Sequence, residues 1–165
     1  MPSPLSDEFR QAMRRLASTV TLVTAGSGDS RTGMAATAVV SVCAEPPALL
    51  VAVNRSASIH AILSASDEFC VNLLSHRHAE LVAAFSGKLK GAARFAEGDW
   101  RYTETGVPVL ADALASIVCR TISRVDIGTH TLFIGEAAAI ANHADIAPLA
   151  WMDGGFARCE PLGAL

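Results

Sequence analysis

Aromatic residues are scarce in this sequence: six Phe, two Trp and one Tyr among 165 positions. Charge is also sparse and slightly negative, with 13 Lys and Arg against 16 Asp and Glu. That balance argues against nucleic-acid binding, which needs a clustered basic face. No stretch approaches ~20 apolar residues without a charge or a turn signal, so no transmembrane helix is expected. The first ten residues, MPSPLSDEFR, lack a basic region followed by an apolar core, and no signal peptide is expected. Cys43, Cys70, Cys119 and Cys159 are far apart and form no CxxC pair, which disfavours a zinc site. They read as small buried hydrophobes in a reduced cytoplasm. Nucleophile-elbow and P-loop motifs are missing, and Gly26-Ser27-Gly28 is followed by Ser30 and Arg31 rather than by the helix of a dinucleotide fingerprint. The acids are scattered with no evident acid/base couple, so a hydrolase is poorly supported.

Ala and Val supply most of the 51% apolar content. A chain of this length buries roughly 70% of the surface its unfolded form exposes, enough for one domain over residues 1–165. Ser6 is placed to cap a first helix, with Phe9, Ala12, Met13, Leu16 and Ala17 along one face. β-Branched runs then dominate. Thr19–Ala25 ends at Gly26-Ser27-Gly28-Asp29-Ser30 and predicts a hairpin with a strand from Gly33 to Cys43. After Glu45-Pro46-Pro47, Ala48–Val53 reads as a strand buried on both faces. Ser58–Ser64 should be a short helix and Glu68–Leu74 a strand. His76–Phe85 reads as a helix that opens on the solvated trio His76-Arg77-His78. Ser86–Trp100 is a polar surface loop in which Lys88, Lys90 and Arg94 are either solvated or a steering patch. Ala115–Val125 and Thr131–Ala141 form a second hairpin, and Asp153-Gly154 turns a third between Pro148–Met152 and Gly155–Arg158. Six or seven strands without regular βα alternation predict a mainly β fold: an antiparallel, barrel-like sheet with short helices at its ends.

Small polar groups gather around the Pro-Pro corner. Thr37, Ser41, Asn54, Ser56 and Ser58 lie on or just after β runs. Open backbone N–H groups at a helix entrance, with hydroxyls and the helix dipole, suit a phosphate, and Arg55 adds charge. The alternative is that Ser56 or Ser58 only starts the helix. A lone His130 at a hairpin turn, taken alone, is an ordinary surface group. Trp100 and Tyr102 read as packing on the outside of the barrel.

Five blocks carry a resemblance: GMAATAVVSVCAEPPALLVAVNRSASIHAIL, FCVNLL, LVAAFSGK, DIGTHTLFIGEA and WMDGGF. In order and spacing, from about Phe9 to Phe156, they resemble the flavin reductase family with the FMN-binding split-barrel fold. The resemblance implies a six-stranded antiparallel split barrel, usually a homodimer with flavin near its interface. It implies hydride transfer from NADH, with NADPH possible, to FMN or FAD, and delivery of reduced flavin to a partner monooxygenase. No Arg cluster awaits a 2′-phosphate, which favours NADH. A tight flavin carrier without fast turnover is the alternative the same fold allows.

Position by position, Thr37, Ala38, Ser41, Val42 and Cys43 match the strand that contacts the isoalloxazine ring. Asn54 matches a flavin hydrogen-bonding position, and Ser56 and Ser58 the ribityl-phosphate end. Phe85, Ser86 and Lys88 match the segment near the flavin's phosphate or adenylate part. His130 matches the histidine beside the nicotinamide and is the implied catalytic residue. Trp151 and Phe156 either cover the flavin or plug the barrel. The sequence departs from the family pattern at Thr129, where Asp is common, at Cys43, where Ser is common, and at Trp151, near where Tyr is common.

Overall fold

The computed structural model describes residues 3–163. In chain order they form α1 (Pro4–Met13), β1 (Ser18–Thr19), β2 (Thr21–Ala25), β3 (Thr32–Ala36), β4 (Val39–Ala44), β5 (Pro47–Asn54), α2 (Ser58–Ala65), β6 (Glu68–Leu73), β7 (Trp100–Tyr102), β8 (Pro108–Leu110), β9 (Ala115–Ile127), β10 (His130–Asn142), β11 (Leu149–Met152) and β12 (Gly155–Arg158). Seven strands make one antiparallel sheet in the order β3-β2-β6-β9-β10-β5-β4. Its two edge strands, β3 and β4, are consecutive in the chain. The sheet therefore curls until its edges meet at Thr37-Ala38. This closure leaves few open edges on a Val-rich sheet. Smaller sheets, β1-β11-β12 and β7-β8, pack beside it.

The expected single strand from Gly33 to Cys43 is thus two strands on opposite edges. A three-residue turn, Val39 N–H to Thr37 C=O at 2.9 Å, breaks it. Alternating Val and Ala allow either state locally, and barrel closure decides. All three expected hairpins form, β2–β3, β9–β10 and β11–β12. On β5 the odd-numbered Leu49, Val51 and Val53 are buried, while Leu50 and Ala52 are only half-buried, so one face of this strand looks outward.

Phe69 and Phe133, fully buried, centre the barrel core with Val23, Val51, Val53 and Val71. Burial of each such side chain contributes about 1.5–3 kcal/mol. Ile59 and Leu63 of α2 close one end of this core. A second core joins Leu22, Leu74 and Leu110 to Phe85 and Phe95. It sits beneath the segment 76–100.

That segment departs most from expectation. In place of one helix there is a short 3-10 turn at His76–His78 and a wide, π-type turn at Ala84–Lys88 kinked at Gly87, φ +103°. His78 is buried rather than solvated. Its Nδ1 accepts from the Ser75 N–H at 3.0 Å, and its Nε2 lies 3.1 Å from an Asp112 carboxylate oxygen. Ser3 rather than Ser6 caps α1, accepting from the Ser6 N–H at 3.2 Å. The apolar face of α1 buries nothing on this chain: Phe9 is 64% exposed. No described helix is long and apolar enough to cross a membrane.

Candidate functional site

The end of β5 sets one half of the site. Asn54 turns its side-chain oxygen back on the loop, where it accepts from Ser56 N–H at 2.9 Å and Ser56 Oγ at 2.8 Å. The resulting Asx turn leads into α2. Ala57 precedes α2 and offers no side-chain cap, while Ser58 is already inside the helix. Neither serine caps the helix, and its first N–H groups stay open toward the loop.

His130 joins this half through the sheet. It lies directly opposite Asn54 in the β10–β5 ladder and is half-buried. Its Nδ1 is 2.9 Å from Thr129 Oγ1, so the threonine still supplies a hydrogen bond to the ring. Arg55 is occupied elsewhere. Its backbone N–H donates to Thr129 C=O at 2.9 Å, and its guanidinium donates to Gly128 C=O. It holds the β9–β10 turn against the loop and is not a free charge for a ligand. His60 Nε2 meets Thr131 Oγ1 at 2.9 Å, and Thr131 donates to Asp126 at 2.6 Å, which fixes the same turn from inside.

The other half lies where the barrel closes. Thr37 and Ala38 are exposed, and Ala38 C=O accepts from Ala52 N–H at 3.0 Å. Ala52 stands two residues from Asn54 on the same outward face, so the two halves are continuous. A cleft of about 210 Å³ brings Thr37, Ser86, Trp151 and Phe156 together over Ala35 and Ala36. Trp151 and Phe156 are cross-strand partners with ring centroids 5.3 Å apart, edge to face. Arg14 holds their hairpin by donating to the Asp153 carboxylate at 2.9 Å.

Three residues of the implied set lie farther off. Ser41, Val42 and Cys43 run down β4, and Cys43 pairs with Ala48, six residues or about 20 Å along β5 from Asn54. Ser41 and Cys43 line a larger groove of about 570 Å³ that Thr37 also borders and that extends to Ile140. Val42 sits at a bulge, half-exposed. Cys43 is exposed, contrary to the expectation of burial, and its thiol donates to Pro46 C=O at 3.0 Å. Cys159 is exposed too, while Cys70 and Cys119 are buried as expected. Burial pushes the Cys119 thiol up to about 12 and raises Cys70 still further.

In the wide turn, Phe85 is a core residue at 2% exposure. It packs beneath Ser86 and Lys88, which are exposed. Gly33 makes this packing possible, because a Cβ there would lie 2.8 Å from the Phe85 ring. Trp100 stacks inward on Phe85 and Phe95 rather than on the outer face. Arg94, expected on a surface loop, is buried beneath this turn at 5% exposure. Its guanidinium donates to Leu89 C=O, Gly33 C=O and Ser58 Oγ, so it ties the turn to β3 and to α2. Burial lowers its pKa from the usual value. Sequence reading missed this role. The signal was its neighbour Phe95, an aromatic inside an otherwise polar loop.

A model of the flavin reductase like domain matches residues 13–160. The chain belongs to that family. The reductase component of the FADH(2)-dependent resorcinol hydroxylase of a Rhizobium species is 38% identical over 98% of this chain and 92% of its own length. The FMN reductase (NADH) RutF of Variovorax paradoxus is 44% identical over 81% of this chain and 74% of its own. Among solved structures, the flavin reductase PheA2 superposes with a TM-score of 0.83 at 32% identity, covering 98% of this chain and all of that one. A Streptomyces globisporus NADH:FAD oxidoreductase, solved with NAD and FAD fragments, gives 0.89 at 26% identity, with 99% of each chain covered. The expected split-barrel class is therefore correct. The strand number is higher than expected, with seven in the main sheet and five in the two smaller ones.

Proposed function

We propose that this chain is an NADH-dependent flavin oxidoreductase that reduces FMN or FAD and releases reduced flavin to a partner monooxygenase. One observation carries the reading for this chain. Thr37 of the implied ring strand, Ser86 of the implied phosphate-side segment and the two aromatics Trp151 and Phe156 line one cleft, and a continuous face leads from it through Ala52 to Asn54 and His130. A flavin needs a flat apolar slot, close backbone and a cationic end for its tail. Small residues and an aromatic wall form the slot, while the open start of α2 and Arg94 form the end.

The flavin, when bound, supplies the hydride-accepting chemistry, and the protein supplies alignment. Thr37, Ala38 and Ser86 hold the ring against the closure turn. Ser56 and Ser58, with Lys88, receive the phosphate. Trp151 and Phe156 shield the slot from water. His130, its ring oriented by Thr129, directs the nicotinamide. Such positioning is worth several powers of ten when two rings must approach closely. Ser41 and Cys43 line the larger groove into which the site extends. The names of the relatives support NADH over NADPH and a partner oxygenase.

The outward face carries apolar side chains: Val40 pairs with Leu50 on β5, and across β10 the β9 residues Val125, Ile127 and Ile122 are also about half-exposed. A second copy of the chain is a natural cover for such a face. Exposed free thiols at Cys43 and Cys159 suit a reducing cytoplasm. The test of function is NADH oxidation with and without added FMN, FAD or riboflavin. Flavin-dependent turnover supports the reading, and its absence at micromolar protein refutes it. Sedimentation at micromolar concentration tests the dimer.

A further inference from the structure

We propose that Thr131 is a positioning residue for the nicotinamide step: with His60 and Asp126 it sets where the His130 ring lies. The inference rests on the flavin reductase reading above, in which His130 directs the nicotinamide, and adds to it the residues that hold His130 in place.

The observation is a chain of polar side chains that runs from the core to the turn carrying His130. Thr131 is buried, at 3% exposure. Its hydroxyl donates to the Asp126 carboxylate at 2.6 Å and lies 2.9 Å from His60 Nε2. A hydroxyl has one hydrogen to give. Asp126 takes it, so Thr131 accepts from His60, and the His60 proton sits on Nε2. His60 is itself held. It belongs to α2, and its ring packs edge to face on the fully buried Phe133, with centroids 5.6 Å apart. Thr131 and Asp126 are direct cross-strand partners on β10 and β9. The chain therefore ties α2, β10 and β9 together at one point.

That point is one residue from His130. Successive strand residues face opposite ways, so Thr131 turns inward where His130 turns toward the face of the site. The chain on the other side of His130 is pinned as well. Arg55 donates from its guanidinium to Gly128 C=O and from its backbone N–H to Thr129 C=O, and it stands 4.0 Å from the second carboxylate oxygen of Asp126. The His130 ring has one hydrogen-bond partner among the described residues, Thr129 Oγ1. Its placement is thus inherited from the backbone on either side. Val at position 131 would suit a strand and fill the same space. A buried hydroxyl is costly unless it is hydrogen-bonded. Here both of its bonds go to side chains that bracket the turn, and neither goes to the strand's own backbone. The hydroxyl therefore serves the placement of His130.

The test is a double-mutant cycle. NADH kinetics with FMN, and FMN dissociation constants, are measured for the wild type, Thr131→Val, His130→Ala and the double variant. A displacement of about 1 Å can cost a hundredfold in rate, and partial release of the turn predicts a fall of about tenfold in kcat/KM for NADH in Thr131→Val. FMN binding should change less than about twofold. In the His130→Ala background, Thr131→Val should add less than a further twofold, because its effect runs through that ring. Thr131→Ser keeps the hydroxyl and should recover most of the loss. A fall of the same size in both backgrounds would make Thr131 part of the general packing and overturn the proposal, as would unchanged kinetics in Thr131→Val. Should Thr131→Val fail to fold, His60→Ala and His60→Gln are read in its place. Gln keeps an N–H for Thr131, so His60→Ala should lose activity that His60→Gln largely retains, and equal loss in the two refutes the proposal. Histidine ring NMR gives a readout free of turnover. The His130 ring signal, identified by its disappearance in His130→Ala, should move in Thr131→Val while that of His143 stays; a His130 signal that stays in place overturns the proposal. A wild type that oxidises no NADH with any flavin refutes the functional reading instead, and the ring signal still decides the placement. Wild-type kinetics in His130→Ala, with turnover intact, overturns the proposal and leaves that reading standing.

Discussion

Replacing Gly33 by Ala tests how the fold holds the site. The new Cβ would lie 2.8 and 2.9 Å from two Phe85 ring carbons and 3.0 Å from the Val23 carbonyl oxygen. Neither neighbour can yield cheaply. Val23 C=O belongs to the β2–β3 ladder, and the Phe85 ring is wedged edge to face against Phe95 at 5.3 Å and tilted on Trp100 at 5.6 Å. Overpacking of this kind costs about 1–3 kcal/mol. Gly33 has no φ in the left-handed region, so the cost is steric rather than conformational. The ring must move, and Ser86 and Lys88 move with it. Urea unfolding should show a loss of about 2 kcal/mol at unchanged m-value, and flavin titration a weakened FMN constant. A variant within about 0.5 kcal/mol of the wild type would refute the claim that Phe85 is rigidly wedged.

Further outcomes follow from the same geometry. His130→Ala should lower turnover or raise the Michaelis constant for NADH while FMN binding changes little; unchanged kinetics would remove the residue from the mechanism. Asn54→Ala dissolves the Asx turn, and FMN affinity should fall about tenfold, in line with the loss of one or two hydrogen bonds; wild-type affinity would separate this turn from the tail site. The native protein should react with a thiol reagent at two cysteines, Cys43 and Cys159, with Cys70 and Cys119 exposed only on unfolding. Both buried thiols have raised pKa values, so above the ordinary value of 9.0 the unfolded chain loses protons that the native state keeps. Stability should be unaffected by these thiols below that pH. It should fall as pH rises from there toward 12 by up to about 1.4 kcal/mol per unit for each thiol. Replacing Cys119 by Ala should flatten that alkaline slope.

Periodicity and turn chemistry made the hairpins legible. Asp153-Gly154 and the Gly128-Thr129 turn lie where their residue types predict. The break at Thr37-Ala38 was not legible, because nothing local forbids a strand there and only closure of the sheet bends it. The segment 76–100 failed for a related reason. His78 and Arg94 look like surface residues by type, yet partners distant in sequence, Asp112 and Gly33, draw them inside. The site showed the same division. Asn54, Ser56 and Ser58 are close in sequence, and their loop followed from that. The meeting of Thr37 with Trp151 and Phe156, and of Asn54 with His130, depends on strand order. Phe85 shows what the block alone hides: its side chain packs into the second core beneath the exposed Ser86 and Lys88.

The proposed role of this chain is to orient NADH and flavin for direct hydride transfer. Anaerobic mixing of the wild type with NADH and FMN measures it most directly, through loss of the oxidised-flavin absorbance. One FMN should be reduced per NADH consumed, catalytically, and more slowly at subsaturating NADH in His130→Ala. Flavin that stays oxidised in the presence of folded protein and excess NADH would contradict it.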